Sequence, residues 1–196
     1  MSTFLLIRHA HHGWIGRGLA GWLPGVHLSA EGREQADQLA ERLADAGISA
    51  VYSSPLERAL ETAEPLARRL GLPVCRSEPF GEVRFGAWEG LSMQELERDP
   101  LWRRYNEFRA ATRPPGGELV LEIQARVISE LERLRTRHPH ETVAVFSHGD
   151  VIKAAAFHFA GAPVDLFPRL EISPACVTAV RLEDWGVQIL RVNSVA

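Results

Sequence analysis

Three short segments place ionisable side chains directly beyond runs of apolar residues. Arg8-His9 follows Phe4-Leu5-Leu6-Ile7, Arg58 lies four residues beyond Ser53-Ser54, and His148-Gly149 follows Thr142–Ser147. Two guanidiniums offer forked, permanently charged donors, and two imidazoles offer nitrogens that can attack or donate. Brought together, such a set holds a dianion, and phosphate fits it best. Any one of these residues alone carries little, because an arginine early in a helix is usually a surface residue. The weight lies in four of them at three strand ends. His9 also belongs to a cluster with His11 and His12. A His-x-His pair at a strand end suits metal ligation, so a metallohydrolase is the competing chemistry, although Arg8 and Arg58 would repel a cation.

Positioning these groups requires particular elements. Phe4–Arg8 and Ala50–Ser53 read as short buried strands, and Thr142–Ser147 as a β-branched one. Residues 30–46 place Ala36, Leu39, Ala40, Leu43 and Ala44 on one helical face, with Gly47 as the stop. Ser54-Pro55-Leu56-Glu57 reads as a capping box with proline at the first helical position. The helix beyond it carries Ala59, Ala63, Leu66, Ala67 and Leu70 to Gly71, and Pro65 is expected to kink or split it. Leu72–Cys75 reads as a strand and Ser92–Asp99 as a serine-capped helix. A long amphipathic helix spans residues 118–137, a further helix runs from Asp150 to about Phe159, and Cys176–Leu182 and Val187–Val192 form a terminal hairpin. Strands alternating with helices indicate an α/β fold of three layers: a mostly parallel central sheet, helices on both faces and a C-terminal β-hairpin. In such a sheet ligands bind beyond the carboxyl ends of the strands, where these candidates lie. Residues 1–196 are expected to form one domain, with a cap-like insertion around 82–117.

Composition sets the outer bounds. The chain has 196 residues, 45% hydrophobic and 24% charged, with a formal net charge of −3. That suits a globular core and argues against a disordered chain or a nucleic-acid partner. No apolar stretch is long enough to span a bilayer, and nothing near Met1 reads as a signal peptide. Cys75 and Cys176 make no disulfide or metal pattern. The expectation is a cytoplasmic monomer or homodimer with no membrane or nucleic-acid partner.

Five motifs then carry a family resemblance. Leu6-Ile7-Arg8-His9, Leu28–Ala36 with its Ser29-Ala30-Glu31-Gly32, and Ser53–Ala59 are followed by Glu82 with Phe85–Gly90, and by Ser147-His148-Gly149. In this order they resemble the histidine phosphatase superfamily, in its phosphoglycerate-mutase-like branch, from residue 4 to about residue 153. Pro100–Arg103, Asp150–Lys153 and Asp165–Phe167 resemble a bacterial branch labelled as phosphomutases. The resemblance implies that His9 is a nucleophile forming a phosphohistidine. It implies that Arg8, Arg58 and His148, with Gly149, bind the phosphate, and that Glu82 is the proton donor and acceptor. No cofactor or metal is implied, because cationic side chains supply the charge. The substrate would be a small phosphorylated metabolite.

Departures from the family pattern bear on detail. Ala10 replaces the usual glycine, so the turn after His9 must keep φ negative or accept strain. His11 and roughly Ile15 stand where an acidic residue and a phosphate-contacting asparagine are usual in the family, so that contact is either missing or supplied by Arg17. Leu119 replaces a serine after Gly117-Glu118. The stretch between Glu82 and Gly116 is short for a closed mutase site, which favours a phosphatase over a phosphoglycerate-mutase-type enzyme. His11, His12, Trp14, Arg17, Trp22, Arg84 and Lys153 are expected at the substrate rim, with Trp14 or Trp22 as a pocket wall. Gly16-Arg17-Gly18-Leu19-Ala20-Gly21 matches a dinucleotide fingerprint by letter, but Trp22-Leu23-Pro24-Gly25 prevents the helix that motif needs. It reads instead as a loop beside the pocket.

Overall fold

The computed structural model describes residues 1–195; Ala196, the last residue of the expected domain, lies outside the described residues. The strands are β1 (Ser2–Arg8), β2 (Ile48–Ser53), β3 (Val74–Arg76), β4 (Thr142–Ser147), β5 (Val177–Leu182) and β6 (Val187–Ser194). They form one sheet in the order β3-β2-β4-β1-β5-β6. β1 to β4 run parallel, while β5 is antiparallel to β1 and turns into β6 as a hairpin. Residues on each strand alternate between two cores. Phe4, Leu6, Val143 and Val145 face one side, with helices α5 (Val120–Arg137) and α6 (Gly149–Phe159). Leu5, Ile7, Ala144 and Phe146 face the other, with α1 (Ala30–Leu43) and α2 (Glu57–Leu70). Covering both faces explains why β1 and β4 read as near-continuous apolar runs.

Register delivers the site. Arg8 pairs with Ser147 across β1 and β4, and Ser53 pairs with Phe146 across β2 and β4. The chain continues one residue further in each case. His9 N–H donates to the Ser147 carbonyl at 2.9 Å and Ser54 N–H to the Phe146 carbonyl at 2.9 Å. His9, Ser54 and His148 therefore leave the sheet side by side.

Three local expectations are corrected. α2 runs unbroken through Pro65. The missing N–H costs one hydrogen bond, but Ala63, Leu66 and Ala67 on either side are buried, and that packing holds the helix. Ser54 caps nothing in the expected sense: α2 starts at Glu57 after Leu56, and the Ser54 hydroxyl accepts from Leu56 N–H while lying 2.8 Å from His148 Nε2. By contrast Ser92 and Glu95 do form a capping box, on the short helix α3 (Met93–Leu96). The sequence reading also passed over α4 (Pro100–Glu107), whose signal is plain in retrospect: Asp99 caps Leu101 N–H and Pro100 occupies the first turn. Between 82 and 117, Trp88 and Tyr105 are fully buried and pack edge-to-face at 5.5 Å.

Gly32 sits in the first turn of α1, where alanine would ordinarily be the better helix former. Here a Cβ would stand 2.0 Å from the His11 carbonyl oxygen, a backbone atom that cannot swing aside. Gly32→Ala should therefore destabilise the protein by about 2 kcal/mol or more, measured by denaturant unfolding. Stabilisation would show that the His11 segment is free to move.

Candidate active site

Beyond the carboxyl ends of β1, β2 and β4 lies a pocket of about 260 Å³. Its lining includes Arg8, His9, Arg58, Glu82 and Gly149, together with His12, Trp14 and Lys153. His148 is completely buried beneath it, its ring centroid 5.1 Å from that of His9. Strand-end spacing predicts Arg8, His9, Arg58 and His148 in one crevice and the family resemblance adds Glu82; the structure brings all five together.

His9 is held in one tautomer. Its Nδ1 lies 2.9 Å from the Ala10 carbonyl oxygen, which can only accept, so Nδ1 carries the proton and Nε2 keeps its lone pair. Burial, then the charges of Arg58 and Arg8, hold the His9 imidazole well below its ordinary pKa, so it is neutral and nucleophilic. Ala10 is not among the residues with positive φ, so replacing glycine there brings no backbone strain. Its N–H donates to the Thr62 hydroxyl at 2.9 Å, and that hydroxyl donates to the Arg58 carbonyl at 2.6 Å. One threonine thus ties the turn after His9 to the helix that carries Arg58.

The cations around His9 are incompletely partnered. Arg58 is 1% exposed, and its one side-chain hydrogen bond runs from Nη2 to the Gly21 carbonyl at 2.8 Å. Arg58 Nε and Nη1, Arg8 Nε and His148 Nδ1 are buried without partners. Native structures rarely leave such donors unmet, so this set is built for an anion. Helix α6 begins at Gly149 beside Arg8, and its N-terminus adds positive field. Burial, then the charge of Arg58, keeps His148 well below its ordinary pKa, so it too is neutral.

Glu82 completes the set. Burial, reinforced by the Asp150 charge, pushes its carboxyl up to about 7 against the pull of Arg58. Its Oε2 lies 3.7 Å from His148 Nδ1, and Oε1 accepts from Val83 N–H at 2.9 Å. A carboxyl near 7 both gives and takes a proton at neutral pH.

The expected rim divides. His12 lines the pocket with its ring 4.8 Å from His9, and burial with the Arg58 and Arg8 charges takes it down to about 3. Trp14 forms the aromatic wall. His11, Arg17, Trp22 and Arg84 do not line the pocket. His11 turns to the Ser29 hydroxyl at 2.9 Å, because Ser29 caps α1 there. Arg17 is exposed, and Ile15 reaches the lining instead. Trp22 and Arg84 stack on each other at 3.8 Å behind Glu82. The alternative metal trio is split in consequence: His9 and His12 stay together, and His11 leaves. His9, Glu82 and His148 do bring ligand atoms within 4.8 Å of one another, but Arg8 and Arg58 charge the same space positively. Residues the sequence reading missed are Asp150, Glu171 and Ile172. Asp150 directly follows His148-Gly149 and was within reach of the motif; the segment before β5 that carries the other two has no local signal. Gly16, Gly18 and Gly21 of the set-aside fingerprint line the pocket as a loop.

This geometry meets its relatives here. The sequence matches the histidine phosphatase superfamily (branch 1) over residues 4–195, and the chain belongs to that superfamily. Phosphoserine phosphatase 1 of Hydrogenobacter thermophilus is 31% identical over 195 residues, 98% of this chain and 92% of that protein. Bifunctional protein Rv2228c of Mycobacterium tuberculosis is 40% identical over 78% of this chain, which spans 42% of that longer protein. Among solved structures, Bacillus stearothermophilus YhfR superposes with a TM-score of 0.94 at 28% identity, covering 100% of this chain and 98% of its own. Mycobacterial glucosyl-3-phosphoglycerate phosphatase Rv2419c with VO3 gives 0.83 at 29% identity, covering 91% of this chain and 92% of its own. The fold is that of phosphoglycerate-mutase-like structures, and two of these four relatives are named as phosphatases.

The raised carboxyl has a thermodynamic signature. Unfolded Glu82 ionises in the ordinary carboxylate range, whereas the folded protein keeps its proton until about pH 7. Its contribution to stability is full at acid pH and is lost as pH rises through about 7. Glu82→Gln should therefore gain stability relative to wild type between about pH 5 and about pH 8, read from denaturant midpoints. A flat or shrinking difference would mean the carboxyl is already ionised at the lower pH.

Proposed function

We propose that this chain is a phosphomonoesterase that acts on a small phosphorylated metabolite through a phosphohistidine at His9 and requires no metal ion. The observation that carries this reading is the free Nε2 of a neutral His9 in a pocket lined by Arg8 and Arg58, whose buried N–H groups lack partners, with His148 Nδ1 also unpartnered. His9 Nε2 attacks phosphorus as the ester P–O bond breaks, and Glu82 gives its proton to the departing oxygen. Arg8, Arg58, His148 and the α6 N-terminus at Gly149 hold the phosphoryl oxygens, where charge is spread in the transition state. Water then attacks the phosphorus as the P–Nε2 bond breaks, Glu82 takes its proton and phosphate leaves, so the carboxyl and the imidazole end as they began. Lys153 in the lining adds a cation for an acidic substrate, and Glu171 lines the same pocket 4.0 Å from Arg8. Relatives named for phosphoserine and for glucosyl-3-phosphoglycerate support phosphorylated carboxylates as the first substrates to try.

Incubation with such an ester should label the protein in an acid-labile, alkali-stable form, with turnover unaffected by a chelator. Label that persists in His9→Ala would sink the assignment. Turnover abolished by chelation and restored by zinc would favour a metallohydrolase. Isomerisation outrunning phosphate release would make the enzyme a mutase.

A further inference from the structure

Glu82 lies in an irregular stretch between two single 3₁₀ turns, Glu78–Phe80 and Gly86–Trp88, so neither a strand ladder nor an α-helix fixes it. General acid catalysis needs its carboxyl at hydrogen-bond distance, about 2.6–3.2 Å, from the leaving oxygen, so small displacements are costly. Two donors from distant parts of the chain converge on its carbonyl oxygen instead. Trp22 Nε1 donates to it at 2.7 Å and Arg126 Nη2 at 3.0 Å. Both residues grip the rest of the stretch as well. The Trp22 ring lies flush on Gly81, where a Cβ would come within 2.3 Å of Cζ2, and Arg84 covers the same ring. Arg126 also donates to the Pro79 carbonyl and pairs with Glu118 at 3.1 Å, while Glu118 accepts from Arg84 N–H at 2.9 Å. The two donors meet the acid's backbone from outside the pocket, and neither lines it.

We infer that Trp22 and Arg126 are positioning residues for the proton donor Glu82, acting through its carbonyl oxygen rather than on substrate. The inference rests on the assignment of Glu82 as general acid. Trp22 belongs to the loop that lines the pocket and supplies the Gly21 carbonyl to Arg58. That loop thereby sets both the phosphate-binding charge and the acid, so the two are in place together.

Leaving-group dependence separates this role from general loop stability. An alkyl phosphate departs as a strongly basic alkoxide and needs the proton; 4-nitrophenyl phosphate departs as a stable anion and hardly does. kcat/KM is the proper readout, because it covers the step in which the ester bond breaks. Trp22→Phe keeps an aromatic ring at the position and removes the indole N–H. It should lose about ten- to a hundred-fold in kcat/KM on the alkyl ester and less than about threefold on the aryl ester. Gly81→Ala reaches the same contact from the other side, by displacing the ring, and should show the same selectivity. Arg126→Lys, which cannot span Glu118, Pro79 and Glu82 with one planar fork, should do so as well. If Trp22→Phe folds poorly, the other two variants decide. Glu82→Gln is the reference. Should it lose activity selectively on the alkyl ester while all three variants lose both esters equally, the positioning role is wrong and the acid assignment stands. Should Glu82→Gln itself lose both equally, the acid assignment fails and takes the inference with it.

Discussion

The structure is organised around a buried guanidinium that the protein does not neutralise. Arg58 is withdrawn from water, and two of its nitrogens find no acceptor. Each buried donor left unmet costs about 1–3 kcal/mol, more for a charged group. The fold bears that cost through the two cores beneath the pocket, and the Gly21 carbonyl offsets a part of it. The unmet remainder is electrostatic preorganisation: a ligand that brings oxygens to these donors recovers what folding withheld. That field acts on everything nearby. With burial, which is the larger cause, it keeps His9, His12 and His148 uncharged, and it opposes the burial that raises Glu82.

The field explains how two imidazoles and a carboxyl coexist with two arginines in one small volume. A protonated His9 would be both repelled and useless as an attacking group. Beside the same cations, an exposed carboxyl would ionise readily and could not serve as an acid. Desolvation resolves this, and Asp150 assists by placing a second negative charge near Glu82 while staying paired to Arg109 at 2.9 Å. Arg109 is in turn stacked against Tyr105 and Phe167. Part of the acid's environment is therefore set by the aromatic cluster between α4 and the segment after α6.

The centre of the site was legible in the sequence because it depends on strand ends. Arg8, His9 and His148 follow apolar runs, and sheet register leaves them no other place to go. Arg58 followed from the same reasoning one helical turn on. The periphery depends on how loops fold back, which periodicity does not encode. Trp22 and Arg84 are the right residue types for a substrate wall, yet they pack on each other to hold a backbone. His11 was diverted by a helix cap, and Ser54, which looked like a cap, was diverted to His148. Glu171 and Ile172 arrive from the far end of the chain through a segment with no pattern of its own. Pro65 misled for a different reason, since burial on both sides outweighed one absent hydrogen bond.

The two site histidines are oriented by different kinds of partner, and this changes what mutation can reach. His148 faces a serine side chain, which a single base change can delete. The His9 tautomer is fixed by the carbonyl of residue 10, and every amino acid brings that same oxygen. Substituting glycine by alanine there altered the letters of the motif without touching the group that acts. Evolution can thus drift at position 10 within the limits of shape, while His9, the proposed nucleophile, keeps an orienting contact written in the main chain.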